Sequence, residues 1–143
     1  MNIKPYIRKA NYYETDQMGI IHHSNYVRWF EEARVDFMEQ IGYPYNKVSE
    51  IGIDFAVLSV HCEYKSMVRF NDTVHINVSA SEIKEATMTL NYEIVDPVTG
   101  KMRTSGYTSH CFYDNNKKRP VSLQKALPEL YELFNQFTRG KSS

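Results

Sequence analysis

Residues 24–41 place Tyr26, Phe30, Ala33, Phe37 and Ile41 at three- and four-residue steps, while Arg28, Glu31, Glu32, Asp36 and Glu39 fall on other faces. That spacing predicts one amphipathic helix. At about 1.5 Å per residue it would run about 27 Å, enough to cross a whole sheet, so the rest of the chain has to be built around it. Gly42 supplies a left-handed stop, and Pro44 is expected to prevent the helix from resuming.

Beyond Gly42 the period drops to two. Val74, Ile76, Val78 and Ala80 alternate in "TVHINVSA", as do Met88, Leu90, Tyr92 and Ile94 in "TMTLNYEIV", and both read as strands with one buried face. Residues 53–64 alternate too, with a phase slip at Val57 and Leu58 that marks a bulge or a passage buried on both sides. "DPVTG" is turn chemistry leading into a last strand, "KMRTSGYTSHCFY". Residues 3–13 read as a first strand at a sheet edge, with Pro5 near its start, and "LPELYELFNQF" as a short closing helix with Pro128 at its first turn. The order is strand, long helix, four antiparallel strands, short helix. It predicts a single α+β domain over residues 1–143, one sheet wrapped around one helix. The far face of such a sheet is uncovered, and a homodimer follows if that face is apolar.

Charge and thiol content bound the partners. The 17 Lys and Arg balance the 17 Asp and Glu, so no overall field steers the molecule to nucleic acid or an anionic membrane, and any anion site has to be local. No apolar run approaches the roughly 20 residues that span a bilayer, and "MNIKPYIRK" lacks the apolar centre of an export signal, so no stable membrane insertion is expected. Only two cysteines, Cys62 and Cys111, favour a reducing compartment, with the cytoplasm as the expected location. With 11 Tyr and 7 Phe, self-association through aromatic surface is a further expectation.

Chemistry gathers in "YYETDQMGIIHHSNYVRWF". Asp16 precedes the helix start by eight residues, and Gly19 permits a bend that turns the loop back toward it. The first N–H groups of a helix have no intrahelical partner and carry partial positive charge, so they can hold a carbonyl oxygen that becomes anionic. An acid and an oxyanion hole would then face each other; the competing reading is an Asp that merely caps or turns the chain. His22 and His23 are adjacent, so their side chains are expected to diverge, and no nearby Cys or acid pattern completes a metal site. Glu14 is expected to be solvated in the loop. His61, His75, His110 and Cys111 fall on strands without a base placed to activate a nucleophile.

These residues resemble the first motif of the hotdog-fold acyl-CoA thioesterases, in the 4-hydroxybenzoyl-CoA thioesterase and YbgC-like branch: an aromatic strand end, Thr-Asp, Gly three residues after the Asp, His seven after and Tyr ten after. "EYKSMVRFNDTVHI" is similar to the family's second-strand segment and "CFYDNNKKRPVSL" to its last strand and exit, so the resemblance spans nearly the whole chain. It implies a hotdog fold, a long central helix wrapped by a five-stranded antiparallel sheet, in homodimers or homotetramers with sites at subunit interfaces. It also implies hydrolysis of an acyl-CoA thioester without a cofactor or metal. The carboxylate would be Asp16, as nucleophile or as general base, and the polarising backbone N–H would fall on His23. Substrate contacts would come from Gly19 and Tyr26, and the nucleotide phosphates from Lys117, Lys118 and Arg119 with Lys84, Arg69 being a weaker candidate. Ile21 and Phe55 are further candidate pocket walls. Family members usually have Pro where Met67 stands and often Tyr or Phe where His22 stands, which puts the acyl group in question but not the carboxylate. The Asp-x-Asn-Pro-x-His pattern of the hydratase branch is absent. Two alternatives remain: a non-catalytic acyl-CoA binding module, and a catalytic acid on the helix at Glu31 or Glu32.

Overall fold

The computed structural model describes residues 2–142. The periodic stretch forms helix α1, Ser24–Gln40, which buries Tyr26, Trp29, Phe30, Ala33, Phe37 and Met38. Gly42 ends it at φ 86°, the left-handed conformation that a side chain disfavours. Pro44 does not prevent a new helix. It caps α2, Tyr45–Glu50, because a helix start has no use for the N–H that proline lacks. The first strand is shorter than the residue pattern predicts: β1 covers Tyr6–Lys9, and Tyr12–Glu14 winds into a 3₁₀ turn. There the Glu14 carboxylate reaches back to the Asn11 N–H at 2.9 Å.

The remaining strands are β2 (Ile53–Tyr64), β3 (Thr73–Ile83), β4 (Thr87–Val95), β5 (Met102–Asp114) and the two-residue β6 (Arg119–Pro120). All pairings are antiparallel, in the order β1-β3-β4-β5-β2 with β6 beside β5. This is the curled sheet of five principal strands around a long helix that the hotdog resemblance implies. The phase slip in β2 is a bulge, with the register shifting between Val57 and Ser59. Helices α3 (Leu123–Ala126) and α4 (Pro128–Ser142) close one end of the core with Leu123, Leu130 and Phe134, and α4 extends beyond the short helix expected from the sequence.

Alternation sorts the sheet into two faces. Val74, Ile76, Ala80, Met88, Leu90, Tyr92, Ile94 and Phe112 are buried in the core that α1 shares, and the Phe30 ring stacks on Tyr92 with centroids 4.4 Å apart. The opposite face carries Asn77, Ser79, Thr89, Asn91, Glu93, Ser105 and Ser109, with Ile7 and Tyr107 as its exposed apolar members, so it is mostly polar and not a continuous apolar face. Exposed apolar surface lies instead on the edge strand β2, where Val57, Leu58 and Val60 are 49%, 59% and 43% exposed. Among the described residues, no helix is long and apolar enough to cross a membrane.

Candidate active site

The turn that carries Asp16 is closed by its own backbone. Thr15 bridges to Ile21, the Asp16 N–H donates to the Ile20 carbonyl at 2.8 Å, and the Gly19 N–H donates to the Asp16 carbonyl at 3.0 Å. Gly19 sits at φ 77°, which is why glycine suits this corner. One carboxylate oxygen of Asp16 accepts the Met18 N–H at 2.8 Å, an Asx turn. Among the described residues, the other oxygen has no hydrogen-bond partner.

Beyond the turn the chain docks on the loop after β2, where the Ile21 N–H donates to the Val68 carbonyl at 2.8 Å and Ile20 bridges to Arg69. It then enters α1, with His23 at the cap position. The His22 ring serves this helix start: Nδ1 accepts the Ser24 N–H at 3.2 Å and lies 2.8 Å from the Ser24 hydroxyl. The His22 and His23 rings do not diverge. They stack with centroids 4.1 Å apart, because His23 already has helical φ and ψ and a helical step turns a side chain by about 100° rather than the about 180° of a strand. Among the described residues, no acceptor takes the His23 backbone N–H. Its carbonyl accepts the Tyr26 N–H at 3.3 Å and faces the Tyr64 hydroxyl at 3.4 Å.

These groups open on one cleft of about 380 Å³, lined by Asp16, Ile20, Ile21, His23, Tyr26, Tyr64, Lys65, Ser66 and Met67. Asp16 is the one acid among them. The Tyr26 and Tyr64 rings form an aromatic wall with centroids 5.2 Å apart. Burial raises both phenol pKa values, that of Tyr64 to about 12, so both are neutral hydroxyls at physiological pH. Of the residues expected from the sequence, Asp16, His23 and Tyr26 line this one cleft, and Gly19 stands in the turn beside it. Sequence reasoning does not assign Tyr64 or Lys65 to the site, although both stand in the "EYKSMVRFNDTVHI" segment; they arrive from the end of β2. Met67, the departure from the family pattern, is a cleft wall. Phe55 lies elsewhere, packed on Tyr45, Phe112 and Phe134.

Glu14 is not solvated. It is 3% exposed, because Arg8 and Trp29 supply donors for its carboxylate inside the fold: Arg8 Nη2 and Trp29 Nε1 each donate at 2.8 Å. Burial works against the Arg8 charge, but the carboxylates of Glu32 and Glu14 outweigh it and raise the guanidinium pKa above its ordinary value.

Of the basic candidates, Arg69 lies beside the Asp16 turn, bridging to Ile20, whereas Lys84, Lys117, Lys118 and Arg119 stand apart from Asp16 within one chain. Lys117 and Arg119 line a separate cleft of about 420 Å³ with Asp114, Ser122 and Lys125. Lys118 sits at the turn with φ 54°, and Lys84 pairs with Glu82 at 3.1 Å in the β3–β4 hairpin. Ile53 of β2 lies opposite Asp114, whereas Tyr64 at its other end lies opposite Thr104. The basic turn and the Asp16 cleft are thus separated by the length of a 12-residue strand, roughly 35 Å. A wider groove of about 580 Å³ follows the outer face of α1 past Glu31, Glu32, Asp36 and Glu39. Glu32 is already held there by Tyr6 at 2.9 Å and Arg8 at 2.8 Å, and amides in mid-helix are committed to the helix itself.

Residues 11–131 match the family described as the thioesterase-like superfamily. Over 125 residues, 87% of this chain and 94% of the relative, the sequence is 35% identical to a protein of Aquifex aeolicus (strain VF5) that carries a provisional esterase name. It is 23% identical over 119 residues, 83% of this chain and 88% of the relative, to a protein of Escherichia coli O6:H1 named acyl-CoA thioester hydrolase YbgC. The crystal structure of a DHNA-CoA thioesterase from Staphylococcus aureus matches with a TM-score of 0.89 at 26% identity, covering 98% of this chain and 95% of that one.

Proposed function

The chain belongs to the thioesterase-like superfamily, and from that premise we propose that, acting as one domain, it hydrolyses an acyl-CoA thioester to the free acid and coenzyme A. Asp16 acts on the thioester carbonyl either directly, giving an acyl anhydride and the CoA thiolate, or as the base that takes a proton from the attacking water. In the first route water then opens the anhydride; in both, the His23 backbone N–H holds the carbonyl oxygen as it becomes anionic. One observation carries the reading: Asp16, with one carboxylate oxygen, and His23, with its helix-start N–H, each without a partner among the described residues, line the same cleft. So sparse a site suits a thioester, because a thiolate leaves without the protonation that an amine or alkoxide needs.

Coenzyme A carries phosphates, and the 35 Å gap bears on how they are held. Two copies paired antiparallel along the β2 edges would cover Val57, Leu58 and Val60 and set the basic turn of one copy, Lys117, Lys118 and Arg119, beside the Asp16 cleft of the other. Such a homodimer, alone or as half of a homotetramer, puts the site at the subunit interface. The two free thiols, Cys62 and Cys111, suit a cytoplasmic protein.

The test is release of free thiol from a panel of acyl-CoAs, read with a chromogenic thiol reagent. The wild type is expected to turn over and Asp16→Asn to lose turnover by about a thousandfold or more while keeping its fold. Near wild-type turnover in Asp16→Asn removes the assignment. Saturable acyl-CoA binding with no thiol released by the wild type makes the protein a binding module instead.

A further inference from the structure

Glu14 stands two residues before Asp16 and has no part in the chemistry above, yet its burial is far more complete than a loop carboxylate needs. Its two oxygens take four donors: Arg8 Nη1 at 3.0 Å, Arg8 Nη2 at 2.8 Å, Trp29 Nε1 at 2.8 Å and the Asn11 N–H at 2.9 Å. Its backbone carbonyl takes two more, the His22 N–H at 2.8 Å and Asn25 Nδ2 at 2.9 Å. Arg8 belongs to β1, Trp29 and Asn25 to α1, and His22 immediately precedes His23, the helix-start residue that lines the cleft. The same guanidinium also holds Glu32 of α1 at 2.8 Å and lies 5.2 Å over the Trp29 ring, so strand and helix are cross-linked behind the turn.

We propose that Glu14 is a positioning residue of the thioesterase site, setting the separation between the Asp16 carboxylate and the His23 N–H; this rests on the acyl-CoA reading given above. The two groups come from different elements, a tight turn and a helix start, and their backbones meet at Glu14. Asp16 is tied to it through two peptide units, and His23 through the bond from the His22 N–H to the Glu14 carbonyl. The carbonyl of a bound thioester has to meet both groups at once, and a misplacement of about 1 Å costs about a hundredfold in rate. Ground-state binding draws on the distant basic turn, which does not touch the clamp, and on the cleft walls. Of these walls Tyr26, edge-on to Trp29 at 5.4 Å, and His23, stacked on His22 at 4.1 Å, meet the clamp through ring faces and edges rather than through the hydrogen bonds to Glu14. Loosening it therefore lowers kcat and spares KM.

Two variants separate this role from a merely structural one. Asn25→Ala removes one of the two donors on the Glu14 carbonyl and leaves the carboxylate cluster intact. Glu14→Gln keeps the length of the side chain but turns one acceptor into a donor against Arg8 or Trp29. Thiol release is measured well below the melting temperature of each protein, beside the fluorescence of Trp29, the only tryptophan in the chain. Expected are a fall in kcat of about tenfold for Asn25→Ala and about a hundredfold for Glu14→Gln, with KM within about twofold of the wild type. Glu14→Gln should also shift the Trp29 emission, because its indole N–H loses a charged acceptor. If Glu14→Gln does not fold, Asn25→Ala decides. A wild type that releases thiol beside an Asn25→Ala variant whose kcat is unchanged, or whose KM alone has risen, overturns the positioning role and leaves the functional reading standing. A wild type that releases no thiol from any acyl-CoA overturns the functional reading, and the positioning role with it.

Discussion

Replacing His110 by Phe should remove about 3 kcal/mol of the acid sensitivity of the fold. His110 is fully buried on β5, and its Nε2 lies 2.8 Å from the Thr108 hydroxyl. That hydroxyl lies 2.7 Å from the Tyr92 hydroxyl, which accepts from Arg34 Nη1 at 3.3 Å. Arginine can only donate, so the Tyr92 oxygen accepts from Arg34 and the guanidinium charge stands at the far end of a chain of hydroxyls that ends on the His110 ring. Among the described residues the other ring nitrogen, Nδ1, has no hydrogen-bond partner. Burial, then the Arg34 charge, lower the His110 pKa to about 4, and the Phe55 backbone offsets a little of this.

In the unfolded chain the same ring titrates near its ordinary 6.5, so as pH falls the unfolded state takes up the proton first. The stability carried by the neutral ring is complete above about pH 6.5 and is lost as pH falls toward about 4. At 1.36 kcal/mol per pH unit the gap corresponds to about 3 kcal/mol. The assay is urea unfolding followed by Trp29 fluorescence, at one protein concentration, from pH 4 to 7.5. Wild type should lose about 3 kcal/mol more across that range than His110→Phe does. Parallel pH curves for the two proteins would refute the reasoning, whatever the constant offset between them.

Two further outcomes follow from the geometry. A Cβ added at Gly106 would run into the His61 carbonyl of β2 and to 2.8 Å from the Phe30 ring, so Gly106→Ala should destabilise the fold by about 3 kcal/mol, read as a lowered Tm. If the basic turn meets the phosphates of coenzyme A, the double variant Lys117→Glu and Arg119→Glu should raise KM about tenfold at low salt, and the difference from wild type should narrow as ionic strength rises. A KM that does not change would remove the turn from the substrate site.

The readable parts of the fold are those fixed by neighbours in sequence. Tyr26, Phe30, Ala33 and Phe37 share a helical face because three and four residues make a turn, and Met88, Leu90, Tyr92 and Ile94 share a sheet face because alternate residues do. The parts misread are those where a local rule met a distant partner. Glu14 looks like a loop carboxylate until Arg8 and Trp29, six and fifteen residues away, supply its donors. The stacked rings of His22 and His23 depend on where α1 begins, and helix ends are set by capping bonds rather than by period. Helix α2 is a single short segment whose pattern is too brief to register.

By itself the sequence determined the long helix, its glycine stop, the strands with one buried face and the turn with Asp16 and Gly19 ahead of the helix. Each follows from spacing and backbone chemistry within a few residues. Only the tertiary structure decided that β2 leaves its sequence neighbour β3 to pair with β5 at the sheet edge. That choice brings Tyr64, Lys65 and Met67 to the cleft and sends the basic turn to the far end of the strand. Strand order depends on which edges meet when the core closes, and hydrophobic alternation looks the same in every position of a sheet.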